Sequence, residues 1–269
     1  MPHNQSTTDM NYYSEEVHFV LESRRTWLVT GGNRGIGRAL VQYLVDQAQR
    51  VFFVDRDESG FLPANVGSSG QVTYIQADLG IQAELDRVQE VVREESEGLD
   101  VLVNNGALNL GGLMSGNYVK FQQTLNVNLV APFYLTQILI DHFVPGGNVI
   151  NIASTRAFQS QADTEGYAAS KGGLIALTHS MAMTLRERIR VNSISPGWIE
   201  TRSGLEHEPA DKVQHPSGRI GRPSDVIRLV LFLSDPANDF INGENIILDG
   251  GMSRQMVYHG DEGWSFTPS

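Results

Sequence analysis

The stretch Thr30-Gly31-Gly32-Asn33-Arg34-Gly35-Ile36-Gly37 decides how the rest of the chain is read. It joins the apolar run Thr26-Trp27-Leu28-Val29-Thr30 to a segment where Ile36, Leu40 and Leu44 recur every fourth residue. The first pattern is that of a buried strand, the second that of a helix face. Glycines 31, 32, 35 and 37 fill the turn between them. Glycine permits positive φ and the close approach of another backbone. The helix that follows offers free N–H groups and the positive end of its dipole, which suit a diphosphate. The spacing is G-x-x-x-G-x-G, not G-x-G-x-x-G, and alone it is also compatible with a plain tight turn. Its place between a first strand and a first helix points to a dinucleotide.

Outward from the turn, strand and helix patterns alternate. Val51–Val54 is a second strand, closed by Asp55, and Val72–Ile75 a third, followed by Asp78. A helix over Leu85–Val92 leads to a strand at Asp100–Asn104. Phe121–Phe143 is expected as one helix kinked at Pro132. Strands follow at Asn148–Ile152, Arg190–Ser195 and Asn245–Leu248, with helices through Leu174–Leu185 and Val226–Leu233 between them. Near-continuous apolar strands joined by helices imply an α/β fold with a parallel sheet covered on both faces. Glu200–Pro223 is the longest irregular segment and is expected to be a lid.

Composition removes several classes of function. With 41% hydrophobic residues in 269, a sizeable core is available and disorder is excluded. A net charge of −11 is a poor match for nucleic acid or anionic lipid. There is no cysteine, so disulfides, Cys-ligated zinc, iron–sulfur clusters and thiol catalysis drop out together. No apolar run approaches the roughly 18 residues of a membrane span, and Met1–Glu16 lacks a signal-peptide pattern. A soluble, cytoplasmic chain is expected. The seven histidines show no metal-ligand spacing, so no metal is expected; His207 and His215 flank the lid, and His142 and His179 sit in helices.

Asp55 stands 24 residues after Gly31. A carboxylate there accepts both ribose hydroxyls of NAD and repels the extra phosphate of NADP. Arg34 and Arg56 suit a 2′-phosphate, so NADP stays as the second reading. Asp78 and Leu79 are placed to flank the adenine. Tyr167 and Lys171 are four apart, on one helix face. An ammonium and a cationic nicotinamide would lower the phenol from its usual value near 10. Ser154, 13 residues before Tyr167, can hydrogen-bond a reacting carbonyl. No Gly-x-Ser-x-Gly surrounds it, which argues against a hydrolase. Asn128, awkward on an apolar helix, needs a partner and can bond backbone while holding a water near Lys171. Trp198, Phe158 and Leu205 either line the substrate pocket or pack ordinarily.

Together these residues resemble the short-chain dehydrogenase/reductase family over Thr26–Met252. The resemblance rests on Thr30-Gly31-x3-Gly35-x-Gly37, Asp78-Leu79, Asn104-Asn105, Asn128, Ser154, Tyr167-x3-Lys171, Pro196-Gly197 and Asp249-Gly250-Gly251. It implies one Rossmann-like doubly wound domain with a seven-stranded parallel sheet and helices on both faces. That domain would span 23–252, between a polar N-terminal extension (1–22) and a C-terminal tail (253–269).

The resemblance further implies an NAD(P)-dependent oxidoreductase passing hydride between nicotinamide and a secondary alcohol or carbonyl. Tyr167 would be the general acid/base, Ser154 would orient the carbonyl, Lys171 would hold the ribose and Asn128 a relay water. Gly31, Asn33, Arg34, Gly35, Ile36 and Gly37 would cradle the cofactor, with Asp55, Asp78, Leu79, Asn105 and Gly106 along it. Pro196, Gly197, Ile199 and Thr201 would meet its nicotinamide end beside Tyr167 and Lys171. A homodimer or homotetramer is implied, with a small-molecule substrate and no nucleic-acid or membrane partner. Asn104-Asn105-Gly106-Ala107 departs from the family's Asn-Asn-Ala-Gly, which puts the roles of Gly106 and Ala107 in question. Two other readings use the same turn: a non-catalytic dinucleotide-binding sensor or scaffold, and a nucleotide-binding transferase or methyltransferase. Neither needs Asn128, Ser154, Tyr167 and Lys171 together.

Overall fold

Alternation along single strands builds the two core layers. In β1 (Thr26–Thr30), Trp27 and Val29 enter one layer and Leu28 the other. In β2 (Arg50–Asp55), Val51 and Phe53 side with Trp27, and Phe52 and Val54 with Leu28. The first layer is closed by α1 (Gly35–Asp46), through Leu40, Tyr43 and Leu44. The second is closed by α2 (Gln82–Glu95), through Leu85, Val88 and Val92. Each fully buried Leu or Val contributes about 1.5–3 kcal/mol, so losing either layer would unfold the sheet.

The structure is a computed structural model that describes residues 21, 23–58, 72–202, 204–263 and 265. The expected N-terminal extension lies outside the described residues except for Leu21, which packs on the Trp27 layer. In the 253–269 tail, Gln255–Tyr258 are exposed and Asp261–Gly263 forms a short turn; Trp264 and 266–269 lie outside the described residues.

The remaining strands are β3 (Val72–Gln76), β4 (Leu99–Asn104), β5 (Phe143–Ile152), β6 (Ile189–Pro196) and β7 (Asn245–Leu248). All seven are parallel, in the order β3-β2-β1-β4-β5-β6-β7. This is the doubly wound Rossmann-like sheet expected from the sequence. The chain builds from β1 out to β3, then returns to pair β4 on the other edge of β1. At such a reversal the loops leaving adjacent strands part, and a crevice opens at the strands' carboxyl ends.

One expected helix is built differently. Phe121–Phe143 belongs to α3 (Tyr118–Leu125), a π turn at Asn126–Val130, α4 (Ala131–Leu139), a short turn and the start of β5. The irregularity is the π turn that runs up to Pro132. The backbone stays helical through Val130 and Ala131, so Pro132, which has no N–H to give the preceding turn, directly follows the widened turn. The wider turn carries Asn128 inward, to a side-chain site described below.

Beyond β5, α5 (Glu165–Thr184) carries Tyr167 and Lys171 on consecutive turns. After β6, the described part of Glu200–Pro223 stays irregular apart from α6 (Pro209–Val213), and α7 (Pro223–Ser234) follows. The ends of this loop meet: Glu200 N donates to Gly221 O at 2.9 Å, and Gly221 N to Trp198 O at 3.1 Å. His207 Nε2 lies 2.9 Å from Glu200 Oε2 and ties the loop to its own base.

Candidate active site

The glycine-rich turn forms one wall of a cleft of about 380 Å³ at the β1/β4 reversal. Gly31 has φ +68°, and a Cβ there would lie 2.8 Å from Gly106 Cα. A side chain at 31 would therefore both strain the turn and fill the cradle. Thr30 ties the two loops together: its Oγ1 accepts from Asn105 N and Gly106 N, each at 3.0 Å. Above the turn, α1 has neither a side-chain cap nor an acid in its first turn. Its first N–H groups and its dipole are left for an anion. Asp55 closes the far end; its carboxylate accepts from Asn33 N at 3.0 Å and Arg56 N at 2.9 Å. An uncapped helix end, a cradle without room for a Cβ and a carboxylate beyond it fit a dinucleotide.

At the ends of β4 and β5 the reaction residues come together. Asn128 is buried and makes three hydrogen bonds. Its Nδ2 donates to Leu108 O at 2.8 Å and Ser170 Oγ at 2.9 Å, and its Oδ1 accepts from Leu108 N at 2.7 Å. Ser170 Oγ in turn donates to Tyr167 O at 2.7 Å. Asn128 thus braces the wall segment at Leu108 against the helix that carries Tyr167. Ser154 Oγ accepts from Arg156 N at 3.2 Å, which leaves its hydroxyl hydrogen to donate elsewhere.

Lys171 is buried, and its Nζ donates to Ile152 O at 2.6 Å. Burial lowers its ammonium from 10.5 to about 8. Burial also raises the Tyr167 phenol above its ordinary value; the Ser154 hydrogen bond and the Arg156 charge offset only part of this. Lys171 is not among the groups that lower it. Its Nζ is turned to Ile152 O and lies 5.6 Å from the Tyr167 ring centre. Removal from water opposes both charged forms.

Of the cofactor residues expected from the sequence, Gly31, Arg34, Gly35, Ile36, Asp55, Asp78, Leu79, Asn105, Gly106 and Thr201 line the cleft. Asn33 and Gly37 are buried behind its wall. Pro196, Gly197, Ile199, Tyr167 and Lys171 do not line it. Pro196 ends β6, Gly197 N donates to Leu248 O at 3.0 Å, and Ile199 pairs with Gly221. Phe158, Trp198 and Leu205 stay exposed, and Trp198 meets His207 edge-on at 5.3 Å. Two residues near the site carried no sequence signal. Asp57 lines the cleft and pairs with Arg34 at 2.7 Å and Arg56 at 3.6 Å. Arg156 lies 5.9 Å from the Tyr167 ring centre. Among the described residues no group of acids and histidines could hold a metal.

A family model described as "Enoyl-(Acyl carrier protein) reductase" matches residues 31–253. The chain is a short-chain dehydrogenase/reductase. This short-chain dehydrogenase/reductase is 41% identical, over 250 residues, to an oxidoreductase of Thermotoga maritima described as uncharacterized. That match covers 86% of this chain and 96% of the relative. It is 39% identical to an apo SCOR enzyme from Clostridium thermocellum, with a TM-score of 0.84 over 92% of this chain and 100% of that one. A 4-hydroxyisoleucine dehydrogenase solved with NADH is 27% identical, with a TM-score of 0.78 over 87% of this chain and 100% of that one. Like its family, the chain is an oxidoreductase with a nicotinamide dinucleotide as cofactor. No helix among the described residues is long and apolar enough to cross a membrane.

Proposed function

We propose that the chain is a dehydrogenase/reductase of secondary alcohols and their carbonyls, working with NAD in preference to NADP. The observation that carries this reading is Tyr167 flanked by Ser154 and Lys171, on a helix that Asn128 ties to the cleft wall at Leu108. When bound, the nicotinamide supplies or accepts the hydride. Ser154 donates its hydroxyl hydrogen to the reacting oxygen, since its lone pair already accepts from Arg156 N. Tyr167 moves the proton to or from that oxygen. Lys171, anchored on Ile152 O, presents its remaining hydrogens to the ribose. Asn128 keeps Leu108, part of the cleft wall, in register with Tyr167.

Asp55 supports NAD, and Asp57 reinforces it by occupying Arg34 and Arg56, the two cations that would favour NADP. We take 23–252 as the catalytic domain and 253–269 as a tail. The exposed apolar residues Tyr118, Val119, Val130 and Phe133 on α3, the π turn and α4, with Met183 on α5, support a homodimer or homotetramer through these helices. The cysteine-free sequence fits a reducing compartment, which supports a cytoplasmic site of action.

Tyr167→Phe tests the assignment. Turnover should fall by about 10²–10⁴-fold, the usual worth of a general acid/base, while NADH affinity by fluorescence titration is retained. Retained turnover would remove Tyr167 from the reaction. NAD binding by the wild type without turnover of any alcohol or carbonyl would favour the sensor reading.

A further inference from the structure

We infer that Arg156 receives a carboxylate of the substrate, so that the alcohol oxidised here is a hydroxy acid and the carbonyl an oxo acid. This rests on the dehydrogenase reading and narrows its substrate. Arg156 is two residues past Ser154 and is fixed there, because its backbone N–H donates to Ser154 Oγ at 3.2 Å. Its guanidinium carbon lies 5.9 Å from the Tyr167 ring centre, so the cation faces the group proposed to move the proton. Arg156 as a whole is intermediate in exposure, and its guanidinium reaches solvent. One of its N–H groups donates to the neutral Gln161 Oε1.

No carboxylate pairs with Arg156 among the described residues. The neighbouring acids are engaged elsewhere. Asp163 Oδ1 accepts from Gly112 N at 3.1 Å, Met114 N at 2.8 Å and Ser115 N at 3.2 Å. Glu165 Oε2 accepts from Leu113 N at 3.0 Å. Glu200, at the base of the loop after β6, accepts from Arg202 N at 2.8 Å. Lys171, the other nearby cation, faces Ile152 O.

A guanidinium with four of its five N–H groups free of protein partners, close to a reacting centre, is available to an arriving anion. Its planar fork matches a carboxylate in two parallel bonds. A substrate oxygen shared by Ser154 and Tyr167 brings a carboxylate near the carbinol carbon within its reach. The Arg156 charge also favours the Tyr167 phenolate, so a bound carboxylate would soften that effect; binding and proton transfer are thereby coupled at one side chain.

The test compares lactate, malate and β-hydroxybutyrate with their amides, by calorimetric titration of the NAD-loaded protein and by turnover. The wild type should bind and oxidise at least one acid tenfold or more better than its amide. Arg156→Gln should erase that preference, and Arg156→Lys should keep part of it. Equal use of acid and amide by the wild type overturns the inference, as does a preference that survives Arg156→Gln, or failure of every acid to bind. Should the Gln variant not fold, the wild-type preference and the Lys variant decide. The two readings separate cleanly. Neutral alcohols turned over without acid preference sink the carboxylate and leave the dehydrogenase. Arg156-dependent acid binding without turnover does the reverse.

Discussion

Asp57 holds Arg34 at 2.7 Å across the mouth of the cleft, and the same carboxylate draws Arg56 to 3.6 Å. Two guanidinium groups that would welcome a 2′-phosphate are thus paired with an acid two residues beyond Asp55. All three side chains are largely exposed, so each pair contributes only about 0.2–1 kcal/mol. Asp57→Ala should therefore raise the NADPH-to-NADH ratio of kcat/KM by up to about fivefold without inverting it. The double variant Asp55→Ala, Asp57→Ala should invert it. Steady-state kinetics with both cofactors checks this, and an Asp57→Ala enzyme with an unchanged ratio would show the arginines to be irrelevant to selection.

Lys171 gives a pH-dependent stability of definite sign. Its folded value is about 8 and its unfolded value 10.5, so between them the unfolded chain binds the extra proton. Stability from this group therefore rises with pH through that window, and below about 8 the buried cation is a cost. Lys171→Met should abolish turnover yet narrow the gap between melting temperatures taken on either side of pH 8. A variant whose melting temperature follows pH just as the wild type does would contradict this.

Gly106 and Leu79 are a matched pair. A Cβ at 106 would lie 2.4 Å from Leu79 Cδ1, so the exchange of Gly and Ala relative to the family pattern is accommodated by Leu79. Gly106→Ala should weaken NADH binding by only a few-fold, since the atom in the way is the far end of the flexible Leu79 side chain. Adding Leu79→Ala should recover much of the loss. The double-mutant cycle is read by fluorescence titration, and strictly additive losses would refute the coupling.

The features legible in the sequence were those written in local pattern. Gly31, Asp55 and Asp78 each end or follow a strand, and strand ends are visible as the close of an apolar run. Tyr167 and Lys171 were legible because one helical turn fixes their spacing. Asn128 was flagged as a polar residue on an apolar helix, but its partners, Leu108 and Ser170, are set by how α3, α4 and α5 pack. The π turn at Asn126–Val130 is not legible as such, since its residues also suit an α-helix; Pro132 marks only that the helix is irregular nearby. Asp57 and Arg156 carry no periodic signal at all; they matter only because the fold brings them to the Arg34 side chain and the Tyr167 ring.

The inward turn of Lys171 also changes how the protein can be handled. The chain has three lysines, at 120, 171 and 212. With Lys171 facing Ile152 O, the exposed side-chain amines are Lys120 on α3 and Lys212 on α6. Among the side chains, amine-directed dyes, cross-linkers and surface supports will attach at those two places, one on the helix proposed to meet another subunit and one on the loop after β6. Such a coupling tethers the molecule through exposed surface while sparing the ammonium at its centre.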